Sequence, residues 1–439
     1  MKPKTRLLIY ILICFAQGAS AQTGPGGVGS RDGSSSLIIW LRANDLNADG
    51  NINNNPTNGS LVSTWSDFSG NANNFTQTGT NRPSYNSSGT FNAVNFNSSL
   101  AAAQFMFGST AGVFPNASTF IAINPVNTGN SHTLLDHSSA SLRVEQWFNT
   151  NRVGLTRYGI ADYSTTIASP FNINSIISYH KPAGSSIVEV RVNGATQNLN
   201  IGSTTAGIPL DRIGRNSNGA DEASGDFFEI IFFNSRVNDA QKIIIDNYLS
   251  AKFGSINIPI NVYDEDNAGA GNYDHDVAGI GRVNASNLHN DSQGTGIVRV
   301  LNPTNLGNNE FFMWGHDNGA LQMNSGLNAP SIIKSRLTRI WRVSETNTSG
   351  GAIDVGNVDI RFDLTGITGV STGNIRLLVD TDNDGNFNDE TPISGAVNLG
   401  SNIYSFNGVS SISNNRRFTL GLALTTIITN RRITHRVNN

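Results

Sequence analysis

Apolar residues in this chain fall in short runs separated by clusters of Asn, Gly and Ser. SLIIWLRA (36–43), LVSTWSDF (61–68), FNAVNFN (91–97), STFIAINPV (118–126) and LRVEQWF (142–148) open the series. SIISYHK (175–181), IVEVRVNG (187–194), IPLDRIGR (208–215) and GDFFEIIFFN (225–234) continue it. Runs of this length bounded by turn formers predict strands, and their spacing predicts an all-β sandwich or jelly roll rather than βαβ units. Helical spacing occurs in NDAQKIIIDNYLSAKFG (238–254), where Ile244, Tyr248 and Phe253 follow Asp239 and Gly254 closes the segment. One amphipathic helix on the edge of the sandwich is predicted there. Beyond a linker at 255–262, GIVRVLN (296–302), EFFMWGH (310–316), SRLTRIWRVSE (335–345), VDIRFDLT (358–365), NIRLLVDTD (374–382) and RRFTLGLA (416–423) predict a second antiparallel sandwich over 261–425.

The two ends lack this pattern. Lys2, Lys4 and Arg6 precede the apolar run LLIYILICFA and then Ala19, Ser20 and Ala21. Residues 1–21 therefore predict a secretory signal cleaved before Gln22. The run is shorter than the ~20 residues a membrane span needs, and no other stretch is long and apolar enough, so no membrane span is expected. Residues 22–35 show no apolar period and predict a flexible leader, and 426–439 predict a short frayed tail. The only cysteine, Cys14, lies in the signal, so the mature chain must be held by its cores without disulfides. A net charge of −3 includes no basic face, which argues against nucleic acid as a partner.

SLIIWLRANDLNADG, WSDFSGNANNFTQ, NRPSYN with AVNFN, and GDFFEIIFFN with the helical segment resemble the laminin-G and concanavalin A-like jelly rolls of bacterial surface proteins, over residues 36–254. YDHDVAGIGR (273–282), WGHDNG (314–319) and RIWRVSE (339–345) resemble an uncharacterised domain paired with such modules in exported Bacteroidota proteins. The resemblance implies secretion or display on the outer cell surface, adhesion, and a polysaccharide or an extracellular protein as partner. A purely structural spacer is the alternative it leaves open.

Chemistry is concentrated in DTDNDGNFNDE (380–390). Asp380, Asp382 and Asp384 alternate before Gly385, a spacing that turns successive carboxylates toward one calcium ion, with Asn386, Asn388 and Asp389, or Glu390, to complete the oxygen shell. Thr391 stands where an EF-hand places its glutamate, so a calcium loop between strands is predicted. DLNADGNIN (45–53) repeats the pattern with one carboxylate fewer, through Asp45, Asn47, Asp49, Asn51 and Asn53. Trp65, Trp147, Tyr158 and Tyr163 are the candidate sugar-stacking rings, while Trp40, Trp314 and Trp341 read as core. A glycoside hydrolase needs two carboxylates on one face of a strand. Asp226 and Glu229 lie three apart and would face opposite sides of a regular strand, so no catalytic pair is predicted. His316–Asp317 is the only close His/Asp pair that invites a catalytic reading, and adjacent strand residues likewise point apart.

Overall fold

The computed structural model describes residues 22–146 and 150–424. The predicted signal, Trp147 and the predicted tail lie outside the described residues.

Two antiparallel sheets form the first sandwich. One runs Ala195–Asn200, Ile187–Val192, Ser175–Lys181, Ala117–Pro125, Gly225–Phe233, Ala93–Phe96, Ser84–Asn86, with Leu37–Arg42 also paired to Gly225–Phe233. The other runs Ala161–Ala168, Arg152–Arg157, Ala140–Val144, His132–His137, Ile208–Ile213, Met106–Phe114, Phe75–Thr76, Thr64–Trp65. Alternation along each strand sends one set of side chains inward. Val188 and Val190 from the first sheet meet Leu135, Leu142, Leu155 and Ile213 from the second in one buried core. Each such side chain contributes ~1.5–3 kcal/mol by leaving water, and the fold is all-β of the jelly-roll sandwich class.

The second sandwich pairs two further antiparallel sheets. The larger runs Asn287–His289, His275–Asn284, Glu310–His316, Trp341–Asn347, Arg417–Ala423, Ile333–Leu337, Met323–Asn324, with Ile375–Asp380 added on Arg417–Ala423. The smaller runs Asp291–Ser292, Val298–Leu301, Val358–Asp363, Ile403–Val409, Val397–Gly400. Trp314, Trp341, Phe362 and Phe418 fill its core, with the Trp341 and Phe418 rings stacked at 5.7 Å.

The helix, Asp239–Lys252, starts where the sequence says it should. Asn238 caps the Gln241 amide, and the Gln241 side chain returns the bond. Its position differs from the predicted edge site. Ala240, Ile244 and Leu249 share one buried cluster with Trp40, Phe120 and Ile231 of the first sandwich and with Val277, Phe311 and Met313 of the second. The helix is thus buried between the two sandwiches, which is why Ile243, Ile244 and Ile245 are all buried although no single face could hold three successive residues. Lys242 to Glu189 (2.7 Å) and Asp246 to Arg191 (2.7 Å) tie it to the first sandwich.

The predicted flexible leader is also corrected. Residues 24–28 are buried, and Pro25–Gly27 forms a single 3₁₀ turn against the helix. His289 Nε2 lies 3.0 Å from the Gly27 carbonyl, Ser292 Oγ donates to Gly26, and the Gln293 and Gly294 amides donate to Gln22. This segment is a strap that the second sandwich grips. Its glycines let backbone approach where side chains cannot, and such contact leaves no apolar period in the sequence.

Candidate functional site

The acidic loop begins where the strand Ile375–Asp380 ends. Asp380 is fully buried, accepting from the amides of Asp384 (3.1 Å) and Gly385 (2.9 Å). Asn383 and Gly385 adopt left-handed φ of 62° and 86°, which folds the loop back on itself. Phe387, fully buried against Ile333 and Leu378, anchors the turn. Glu390 reaches back to accept from the Thr381 hydroxyl at 2.8 Å. The ligand atoms of Asp380, Asp382 and Glu390 lie within 4.8 Å of one another, and so do those of Asp382, Asp384 and Asp389. Four further carboxylates therefore gather around Asp382, an all-oxygen set that could hold a hard metal ion. The Asn386 amide donates to Asp384 Oδ1 at 2.7 Å, and the Asn388 amide to Asn386 Oδ1 at 3.1 Å. Arg417, 3.1 Å from Asp380 and 2.7 Å from Asn383 Oδ1, balances part of this charge from the neighbouring strand.

The loop at 45–53 gathers less. Asp45 is buried and ion-paired with Arg42, and it accepts from the Gly50 amide at 3.1 Å. Asp49 is exposed and accepts from the Asn51 amide (2.8 Å) and from the side chains of Asn47 (2.8 Å) and Asn54 (2.6 Å). The Asn53 amide turns to Asn51 Oδ1 at 3.1 Å. Here an arginine already stands in the position of counter-ion, with amides around the second carboxylate.

The predicted aromatics separate by burial. Trp65 is fully buried in the first core and offers no ring to a ligand, because it is the inward residue of its two-residue strand. Tyr163 packs partly against that core and gives its hydroxyl to the Ile201 carbonyl at 3.0 Å. Tyr158 stands on the outer face of the sheet opposite the helix. Asp136, Ser141, Arg143 and Arg212 alternate with the inward leucines and isoleucine and share that face. Tyr158 donates to Asp136 Oδ1 at 2.8 Å, Arg143 pairs with Asp221 at 2.9 Å, and Arg212 lies 4.0 Å from Asp136. Burial pushes the Asp136 carboxyl up to about 6, against the opposing pull of Tyr158 and Arg212. Tyr158 is pushed up to about 12 by burial and by that carboxylate. Phe107, 42% exposed, lies beneath the Arg212 guanidinium at 4.7 Å. An exposed ring beneath a partly exposed guanidinium can pack a sugar's C–H face and bond its hydroxyls, with the buried Asp136 holding Tyr158 in place beside them. None of Phe107, Asp136, Arg143 or Arg212 stood out in the sequence. The available signal was a charged residue inside an apolar strand, as in HTLLDH and IPLDRIGR.

Asp226 and Glu229 are arranged differently from a regular strand. A bulge between Phe227 and Glu229 shifts the register against Ala117–Pro125, so Phe227 points into the core while Phe228 and Glu229 both face the helix side. Asp226 therefore shares a face with Glu229, contrary to the alternation prediction. Glu229 is fully buried, accepting from Trp40 Nε1, from Tyr248 Oη at 2.9 Å and from Lys252 Nζ at 2.6 Å. Asp226 is held separately by Asn86 and Asn95. His316 pairs with Asp276 at 2.9 Å, while Asp317 accepts from the Gly319 and Ile340 amides.

Residues 245–416 match the domain of unknown function DUF8202. No curated protein matches the chain. Part of the chain is similar to domain 4 of AbnA, an extracellular arabinanase from Geobacillus stearothermophilus, in complex with arabinotriose (15% identity, 43% of this chain and 98% of that one, TM-score 0.32). Part is similar to a heptameric SAP-like pentraxin from Limulus polyphemus (10% identity, 37% and 82%, TM-score 0.28). The CBM40 of the Ruminococcus gnavus IT-sialidase, bound to α2,3-sialyllactose, is similar at 11% identity (30% and 82%, TM-score 0.25). Among the described residues no helix is long and apolar enough to cross a membrane.

Proposed function

We propose that the protein is an exported, non-catalytic binding protein that holds an extracellular polysaccharide on the outer face of the first sandwich. The observation that carries this reading is the cluster of Phe107, Arg212, Asp136 and Tyr158 on the sheet that the helix leaves uncovered. The charged pre-sequence at 1–21 supports export, and the acidic loop at 380–390 supports calcium as a structural ion in the second sandwich. The burial of Glu229 under three donors supports binding without hydrolysis. A spacer role is favoured by a different observation, the strap and helix that lock the two sandwiches together.

Affinity electrophoresis of the mature protein through a panel of polysaccharides tests the reading. Retardation by at least one of them, lost in a Phe107→Ala/Arg212→Ala variant of unchanged thermal midpoint, is the expected result. No retardation by any polysaccharide, with or without calcium, overturns it in favour of the spacer.

A further inference from the structure

A cavity of about 610 Å³ lies where the strap, the first sandwich, the helix and the second sandwich meet. That volume falls in the ~300–1,000 Å³ range of small-molecule sites. Phe68, Phe91, Tyr248 and Phe253 supply apolar wall, and Asn44, Asn92 and Asn318 supply amides. The motifs that mark the second domain meet here too, because Asp274 to Asp276, His316 and Asn318 contribute to the lining.

Four cations line the same space, and three have a carboxylate partner. Arg42 is paired with Asp45, Lys252 with Glu229 at 2.6 Å, and Arg339 lies 3.9 Å from Asp276. Arg31 has no carboxylate partner among the described residues, and its buried Nε has no hydrogen-bond acceptor. Its guanidinium carbon sits 3.6 Å from the Phe68 ring centroid, and that of Arg42 sits 3.5 Å from the same centroid. Two like charges therefore share one ring. Burial, and then Arg42, push the Arg31 guanidinium down to about 10, against the longer-range pull of the Asp45 and Asp276 carboxylates.

The cavity is not built for a metal at its histidines. His316 Nδ1 accepts from the Asn318 amide at 3.0 Å, so Nε2 carries the proton it gives to Asp276, and neither nitrogen has a free lone pair. His275 stacks on His316 at 5.7 Å, with its Nδ1 2.7 Å from Asp274 Oδ1.

We propose that this interdomain cavity is a second binding site, for a carboxylate-bearing sugar whose carboxylate is taken by Arg31 and whose ring lies among Phe91, Tyr248 and the flanking asparagines. The guanidinium fork matches a carboxylate in geometry and charge. The amides match hydroxyls, and the rings match the sugar's C–H face. The site is independent of the outer sheet face and includes residues of both sandwiches.

The test is calorimetric titration of the mature protein with D-glucuronate and D-galacturonate, each beside its neutral methyl ester. Saturable binding of at least one uronate is expected, with the ester at least about tenfold weaker, since a hydrogen bond to a charged group contributes ~1.5–3 kcal/mol. Arg31→Gln should weaken uronate binding by about tenfold or more at unchanged thermal midpoint, with Arg31→Lys falling between Gln and the native residue. Phe107→Ala/Arg212→Ala should leave it unchanged, which separates this site from the sheet face. Equal binding of acid and ester, no binding of either uronate, or full affinity in both Arg31 variants overturns the proposal.

Discussion

Glu229 and Asp136 are both fully buried carboxylates, and their surroundings give them opposite energetic roles. Glu229 is matched by one ammonium and two neutral donors, so it binds Trp40 of the first sandwich to Tyr248 and Lys252 of the helix. Glu229→Gln removes the charge but leaves Lys252 buried beside it. A loss of about 3 kcal/mol is expected, the usual result of breaking a buried pair from one side. Urea unfolding of the variant checks this; an undiminished midpoint would show that Lys252 finds water instead. Asp136 is under-compensated, with Arg212 4.0 Å away. Its carboxyl stands at about 6 in the fold, above its ordinary value, so the native state holds a proton that the unfolded chain releases. The stability from this group is present below about pH 4 and lost as pH rises through about 6. His132, pushed down to about 4 by burial, has the opposite sign: its contribution is lost as pH falls. The two overlap in one window, so the native protein's curve mixes them. Comparing Asp136→Asn with the native protein isolates the first: the variant should gain up to about 3 kcal/mol in relative stability between pH 4 and pH 7. Parallel curves for the two proteins would refute the assignment.

At the scale of elements, what the sequence shows and what it hides follow the range of the interactions. The helix was readable because the spacing of Ile244, Tyr248 and Phe253 after Asp239 is local, and the Asn238–Gln241 capping box acts over the same short range. Its burial between two sandwiches was not, since the partners Trp40 and Met313 are far away in the chain. The acidic loop was readable because five carboxylates fall within residues 380–390. The sheet-face cluster was hidden because Phe107, Asp136, Tyr158 and Arg212 come from separate strands and loops, and the bulge at Glu229 reversed a face that simple alternation assigned. The strap was missed for a further reason, that backbone contact has no periodicity. Gly27 makes this testable. Its φ is 86°, and a Cβ there would lie 1.7 Å from Ser292 Oγ. Gly27→Ala should cost about 1–3 kcal/mol and expose the strap to protease, while adding Ser292→Gly should recover part of the loss. Unchanged proteolysis would mean the strap is held by its other contacts alone.

At the scale of the whole molecule, the question is whether two sandwiches unfold as one. The cluster that contains the helix runs without a break from Val28 of the strap, through Phe120 and Ile231, to Val277 and Phe311. Unfolding either sandwich alone would uncover those side chains at ~1.5–3 kcal/mol each, a penalty comparable with the stability of a domain. One cooperative thermal transition is therefore expected. Calcium turns this into a discriminating test, because the carboxylates at 380–390 that could hold it all lie in the second sandwich. A native-state site filled to ten times its dissociation constant adds about 1.4 kcal/mol, which for units of this size raises the midpoint by a few degrees. If the cluster couples the sandwiches, calorimetry shows a single peak that moves up with calcium, moves down with chelator and stays still in Asp382→Ala. Two peaks, only the second responding to calcium, would show that the buried cluster joins the sandwiches without making them one folding unit. A single peak indifferent to calcium would leave the coupling intact and make the acidic loop an ordinary turn balanced by Arg417.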